Sequence, residues 1–219
     1  MLKRFASTLA AVAALYAAPA LAVDSTVLLN DTFDAEHGGV GAAEYSGFAN
    51  FTAANVDLLA PGYFYSLCQA AGGSTACLDM EGSGNGSLTT KTAYDLSAGA
   101  VTIQFDLAGD QRGRGNNTVT ASLTSIFGEV LLSEVFSLAA DASFTTIVRS
   151  FDLADAASAR LSFLSGGPAD SFGLLLDNVV LSAGGTPTIP AVPEPSSWAL
   201  LCGGLGLVAT IARRRRHPG

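Results

Sequence analysis

Basic side chains are scarce through most of this sequence. Between Val23 and Val192 there are five, Lys91, Arg112, Arg114, Arg149 and Arg160, against eighteen acidic ones, a net charge of −13. A chain that neutralises phosphates needs a basic face, so nucleic acid is excluded as a partner of this region. Histidine is nearly missing too: His37 is the sole imidazole there, and neither G-x-S-x-G nor H-E-x-x-H occurs. Hydrolase chemistry has no recognisable machinery, and the protein is expected not to be an enzyme. The eighteen carboxylates offer many pairs for glycoside cleavage but single out none. Tryptophan occurs once, at Trp198, which leaves any sugar stacking in the middle to Tyr and Phe. No apolar run reaches the roughly 20 residues of an ordinary membrane span.

What the sequence does have is sorted by position. Its 219 residues and mean hydropathy of +0.39 allow one domain of ordinary size, with the apolar excess gathered near the ends. Residues 1–22, MLKRFASTLAAVAALYAAPALA, place Lys3 and Arg4 before an apolar core and end on Ala20-Leu21-Ala22. That order predicts a signal peptide, removed by signal peptidase to leave Val23 first. At the other end, a Gly/Pro/Thr linker (residues 183–192) leads to Pro193-Glu194-Pro195, a 15-residue apolar run and the cluster Arg213, Arg214, Arg215 and Arg216. As a helix the run is about 22 Å long, a short single transmembrane helix whose arginines stay cytoplasmic.

The tail VPEPSSWALLCGGLGLVATIARRRR (192–216) resembles the PEP-CTERM sorting signal of Gram-negative bacteria, whose parts run here from Pro193 to Arg216. The resemblance implies an exosortase as partner and transient anchoring in the inner membrane. It further implies processing and delivery to the cell surface or the extracellular exopolysaccharide matrix.

Residues 23–182 read as one all-β domain. Residues 100–107 alternate, with Val101, Ile103, Phe105 and Leu107 on one face, and residues 118–123 do likewise through Val119, Ala121 and Leu123. Further β-branched or aromatic runs cover 145–153, 160–164 and 173–181, separated by Gly, Asn, Asp and Ser clusters. Short strands at that spacing predict an antiparallel β-sandwich. The pieces N-D-T-F-D (30–34), C-L-D-M-E-G-S (77–83), F-D-L-A-G-D-Q-R-G (105–113) and L-L-L-D-N-V-V-L (174–181) resemble the bodies of many PEP-CTERM proteins. The first and last are also similar to the terminal strands of jelly-roll carbohydrate-binding modules. That similarity implies a jelly-roll-like sandwich and, more loosely, a polysaccharide ligand. It also implies a structural calcium ion where first and last strands meet, with Asp34 and Asp177 in the ligand positions. Calcium takes six to eight hard oxygens, so carboxylates there suit it; the alternative is two turn carboxylates.

Cys68 and Cys77 are the only thiols of the exported region. An even count in an oxidising compartment predicts a disulfide, which across so short a loop contributes about 2.5 kcal/mol. Asp79 and Glu81, ahead of a Gly/Ser/Asn run, read as a second ligand site or as a solvated loop. In the sole local basic cluster, Gln111, Arg112 and Asn116 suit hydrogen bonding to sugar hydroxyls, with Arg112 pairing to a domain carboxylate as the alternative. Tyr45, Phe48, Phe51, Tyr63, Phe64 and Tyr65 make the first third the richest in rings, either as core or as a stacking surface. The expected protein is therefore an exported, non-catalytic surface or matrix protein, with a calcium-dependent carbohydrate-binding module as the alternative.

Overall fold

The computed structural model describes residues 25–73 and 75–184. In chain order its strands are β1 (Ser25–Asp31), β2 (Phe51–Ala54), β3 (Asp57–Leu59), β4 (Cys77–Asp79), β5 (Ser87–Thr90), β6 (Tyr94–Leu96), β7 (Gly99–Ala108), β8 (Thr118–Ser125), β9 (Val130–Ser137), β10 (Thr145–Leu153), β11 (Ala157–Gly166) and β12 (Leu175–Gly184), with one short helix, α1 (Tyr65–Ala70). The expected signal peptide, most of the linker and the sorting segment, including Pro193 to Pro195 and Arg213 to Arg216, lie outside the described residues. Among the described residues no helix is long and apolar enough to cross a membrane.

Two antiparallel sheets result. The first has the order β10-β7-β12-β4-β3, with β1 also on β12; the second has β2-β5-β11-β8-β9, with β6 also on β11. Each is built on a ten-residue central strand with one long neighbour on one edge and two short ones sharing the other. The alternating residues do what their period requires. Val101, Ile103, Phe105 and Leu107 of β7 meet Val119, Ala121 and Leu123 of β8 and Leu161 and Phe163 of β11 in one buried core. Phe105 anchors it, with the rings of Phe163 and Phe136 edge-on at 5.1 and 5.4 Å.

β12 departs from strict alternation. Its register with β7 shifts between Asp177 and Val180, and Asn178 adopts φ +52°. This bulge inserts one extra residue, so Leu176, Val179 and Leu181 all reach the core while Asp177 shares the opposite face with Asp106.

That opposite face is not left to solvent throughout. Leu59, Cys68, Ala71, Cys77, Ala108 and Leu175 form a second buried cluster beneath α1. The predicted disulfide is present: Cys68 on α1 is bonded to Cys77 on β4, with Cα atoms 5.9 Å apart. Residues Val23–Thr188 form one compact unit, which contains both sheets, both clusters and the disulfide.

Candidate functional site

The pairing of β3 with β4 sets Asp57 opposite Asp79, and Leu175 of β12 pairs with Asp79 on its other side. Residues opposite one another on antiparallel strands have Cβ atoms about 5 Å apart, so two carboxylates become neighbours at the margin of the α1-covered face. They floor an open hollow of about 500 Å³. Tyr63 and Phe64, in the turn ahead of α1, form one wall; Arg112 and Phe172, from two separate connections, form the other. Phe64 is 60% exposed and meets Tyr63 edge-on at 4.8 Å. The Arg112 guanidinium lies 4.5 Å from the centre of the Phe172 ring.

The floor carboxylates are held by many donors. Asp57 Oδ1 accepts from the Glu44 N–H at 2.7 Å and Oδ2 from the Tyr63 hydroxyl at 3.2 Å. Asp79 accepts from the Glu81 N–H at 3.0 Å and from Arg112 Nη2 at 2.6 Å. Burial nevertheless pushes Asp79 up to about 7, with Asp57 adding repulsion, against the pull of Arg112. The Tyr63 phenol is raised by burial and then by Asp57. Gly82 is required here: a Cβ would stand 2.7 Å from Asp57 Oδ1. The hollow thus offers an exposed ring, a planar guanidinium and hydroxyls over a negative floor.

Of the three expected ligand residues, the hollow takes in Arg112, and its pairing with a domain carboxylate is also present, through Asp79. Gln111 instead braces two loops, its amide donating to the carbonyls of Gly109 and Ala142 at 3.1 and 2.8 Å. Asn116 is exposed, with φ +79°, and does not line the hollow. Asp79 and Glu81 do not form a solvated loop: pairing of β4 between β3 and β12 buries Asp79 to 1% exposure, and Glu81, which accepts from the Ser165 hydroxyl at 3.0 Å, is fully buried. Phe48 and Phe51 are core, whereas Tyr63 and Phe64 reach the hollow. His37 is exposed, its Nδ1 3.0 Å from the Val40 carbonyl. Asp57 and Phe172 were not singled out from sequence; Arg112, Asp79 and the aromatic run at 63–65 pointed singly toward the hollow.

Asp34 and Asp177 are brought together with Asp31 and Asp106. Burial, then repulsion from Asp34, Asp106 and Asp31, raises Asp177 to about 7, although the Asn178 N–H donates to it at 2.7 Å. Asp34 accepts from the Ala76 N–H and the Thr32 hydroxyl, both at 2.9 Å. Asp31 takes the Phe33 N–H and the Asn50 amide, and Asp106 takes Thr146 and the Asn178 amide. Among the described residues no three His, Cys, Asp or Glu side chains converge as a metal-binding group.

Residues 191–216 match the PEP-CTERM protein-sorting motif, which marks a chain for export and membrane-anchored sorting in Gram-negative bacteria. No curated protein matches the sequence. Among solved structures the chain is similar to the K1 cleaved adhesin domain of Lys-gingipain from Porphyromonas gingivalis W83, at 19% identity and TM-score 0.46, covering 73% of this chain and 99% of that one. It is also similar to the C-terminal CBM6 of a laminarinase, LamC, from Zobellia galactanivorans, at 12% identity and TM-score 0.40, over 61% and 93% of the two chains. CBM35 from Paenibacillus barcinonensis gives 16% identity and TM-score 0.39, over 64% and 97%.

Proposed function

We propose that the exported region is a non-catalytic surface or matrix protein that contacts extracellular polysaccharide through the hollow. Its route runs through signal peptidase after Ala22 and an exosortase at the Pro-Glu-Pro motif. The observation that carries the ligand reading is Phe64, a ring left 60% exposed beside Tyr63, Asp57 and Arg112. A pyranose presents an apolar C–H face and hydroxyls at its rim, and this wall offers a ring for the first and charged or hydroxyl groups for the second. Asp57 and Asp79 supply acceptors to the hollow, each oxygen taking one protein donor and keeping a second lone pair.

Calcium at Asp34 and Asp177 belongs to the same proposal. A dication relieves the repulsion of Asp177 by its acidic neighbours, and each hydrogen-bonded oxygen keeps a second lone pair for a metal. The test is binding of the Val23–Thr188 unit to a panel of bacterial polysaccharides, with calcium and with EDTA. Saturable binding to one class supports the reading. A folded domain that binds none overturns it and leaves a structural matrix role.

A further inference from the structure

Four side-chain atoms of the described residues are buried without a hydrogen-bond partner: Glu81 Oε2, Asp110 Oδ2, Asn117 Oδ1 and Asp170 Oδ1. All four are oxygens. All belong to connections at one end of the sandwich, after β4, after β7, before β8 and between β11 and β12. Buried acceptors without donors are uncommon, because each forfeits its hydration.

Two of them share a partner, and a third lies two residues from another. Asp110 Oδ1 accepts from the N–H groups of Arg112 and Arg114 at 2.6 and 3.3 Å. Asn117 Nδ2 donates to the carbonyls of Arg114, at 3.3 Å, and Phe172. Asp110 and Asn117 therefore grip the same residue, Arg114, each spending one terminal atom on backbone and leaving its other oxygen unsatisfied at 1% exposure. Through Phe172, Asn117 also holds the loop that carries Asp170. Gly167 closes against the group, since a Cβ there would lie 2.7 Å from Asn117 Oδ1. Glu81 is anchored separately, by the Ser165 hydroxyl at 3.0 Å.

We propose that Asp110, Asn117 and Asp170 bind a calcium ion that ties the 110–117 connection to the 167–172 connection. Each of the three oxygens lacks a donor, and a cation takes all three as ligands where water would have to supply a hydrogen to each. The donors are oxygen throughout, with no thiolate or imidazole, which selects calcium over zinc. Two carboxylates and an amide oxygen fall short of a cage of charged side chains, and backbone carbonyls and water complete such a set in calcium sites. Charge agrees: Asp79, Glu81, Asp110 and Asp170 face Arg112 and Arg114 at this end, a surplus of two negative charges. The ion would fix Arg112 and Phe172, one wall of the hollow, yet its binding does not depend on any glycan.

The test uses the Val23–Thr188 unit, which holds its own core, titrated with calcium after EDTA treatment and followed by calorimetry and by Tm. With calcium about a hundredfold above Kd, Tm rises by about 5 °C or more. Asp110→Asn and Asp170→Asn each lose that response at this site, whereas Asp177→Asn retains it. Asp110→Asn also sets an amide N–H where the unpartnered oxygen stands, so its Tm in EDTA is equal to or above that of the wild type. Absence of calcium binding by the wild type, or a response unchanged in both Asp110→Asn and Asp170→Asn, overturns the proposal.

Discussion

Asp177→Asn tests the electrostatics of the acidic face with the least change in shape. The Asn178 N–H donates to Asp177 Oδ1, and an amide oxygen accepts that bond equally well, so the substitution removes charge and little else. In the folded protein Asp177 is raised from 3.8 to about 7 by burial and by its three acidic neighbours. A carboxyl with a raised folded value contributes its full stability below about pH 4, where both states are protonated. As pH rises the unfolded chain releases its proton first, and the contribution is lost until pH passes about 7. For these two values the loss between pH 5 and pH 8 is about 2.5 kcal/mol. Urea denaturation in EDTA therefore shows the variant gaining on the wild type by about that amount over this range. Asp79, raised in the same direction, leaves the variant a residual slope of the same sign. An advantage that is flat with pH, or that reverses at pH 8 in EDTA, refutes the reasoning. Calcium at Asp34 and Asp177 adds a second arm: at pH 8 it stabilises the wild type and has a much weaker effect on the variant at that site.

Replacing Cys68 and Cys77 together by Ser lowers Tm by about 5–10 °C, because a short loop closure is worth about 2.5 kcal/mol; thermal melts with and without reductant check this, the variant being indifferent to reductant. Phe105→Ala removes the ring that touches both Phe136 and Phe163 and costs about 3–5 kcal/mol in urea denaturation. Arg112→Ala leaves the Asp79 carboxylate buried without its cation, so it destabilises by about 3 kcal/mol at pH 8 and by less at pH 5, where Asp79 is protonated.

The sandwich was legible where alternation was strict. The run at 145–153 coincides with β10, and the inward residues read for β7 and β8 are the buried ones. α1 was not legible, because six residues cannot display a helical period; the disulfide and the outer apolar cluster hold it in place. The bulge at Asn178 was hidden for a similar reason. A local change of phase in D-N-V-V has no signature until the neighbouring strand fixes the register.

The site was legible only in fragments. Arg112 and the 63–65 aromatics drew attention singly, but their common hollow depends on Asp57 meeting Asp79 across strands and on Phe172 arriving from a distant connection. Asp79 and Glu81 read as a second ligand site or as a solvated loop, since local composition cannot report that β4 is enclosed by β3 and β12 or that Ser165 of β11 meets Glu81. Tertiary pairing, not local preference, buried them.

The most direct test of the polysaccharide reading compares the wild type with Phe64→Ala on one polysaccharide, by calorimetry. Phe64 is exposed and outside both apolar clusters, so the variant keeps the wild-type Tm. Its affinity is expected to be about fivefold weaker or more, since stacking against one ring is worth about 1 kcal/mol or more. Equal affinity in a folded Phe64→Ala variant contradicts that reading and moves the contact away from the hollow.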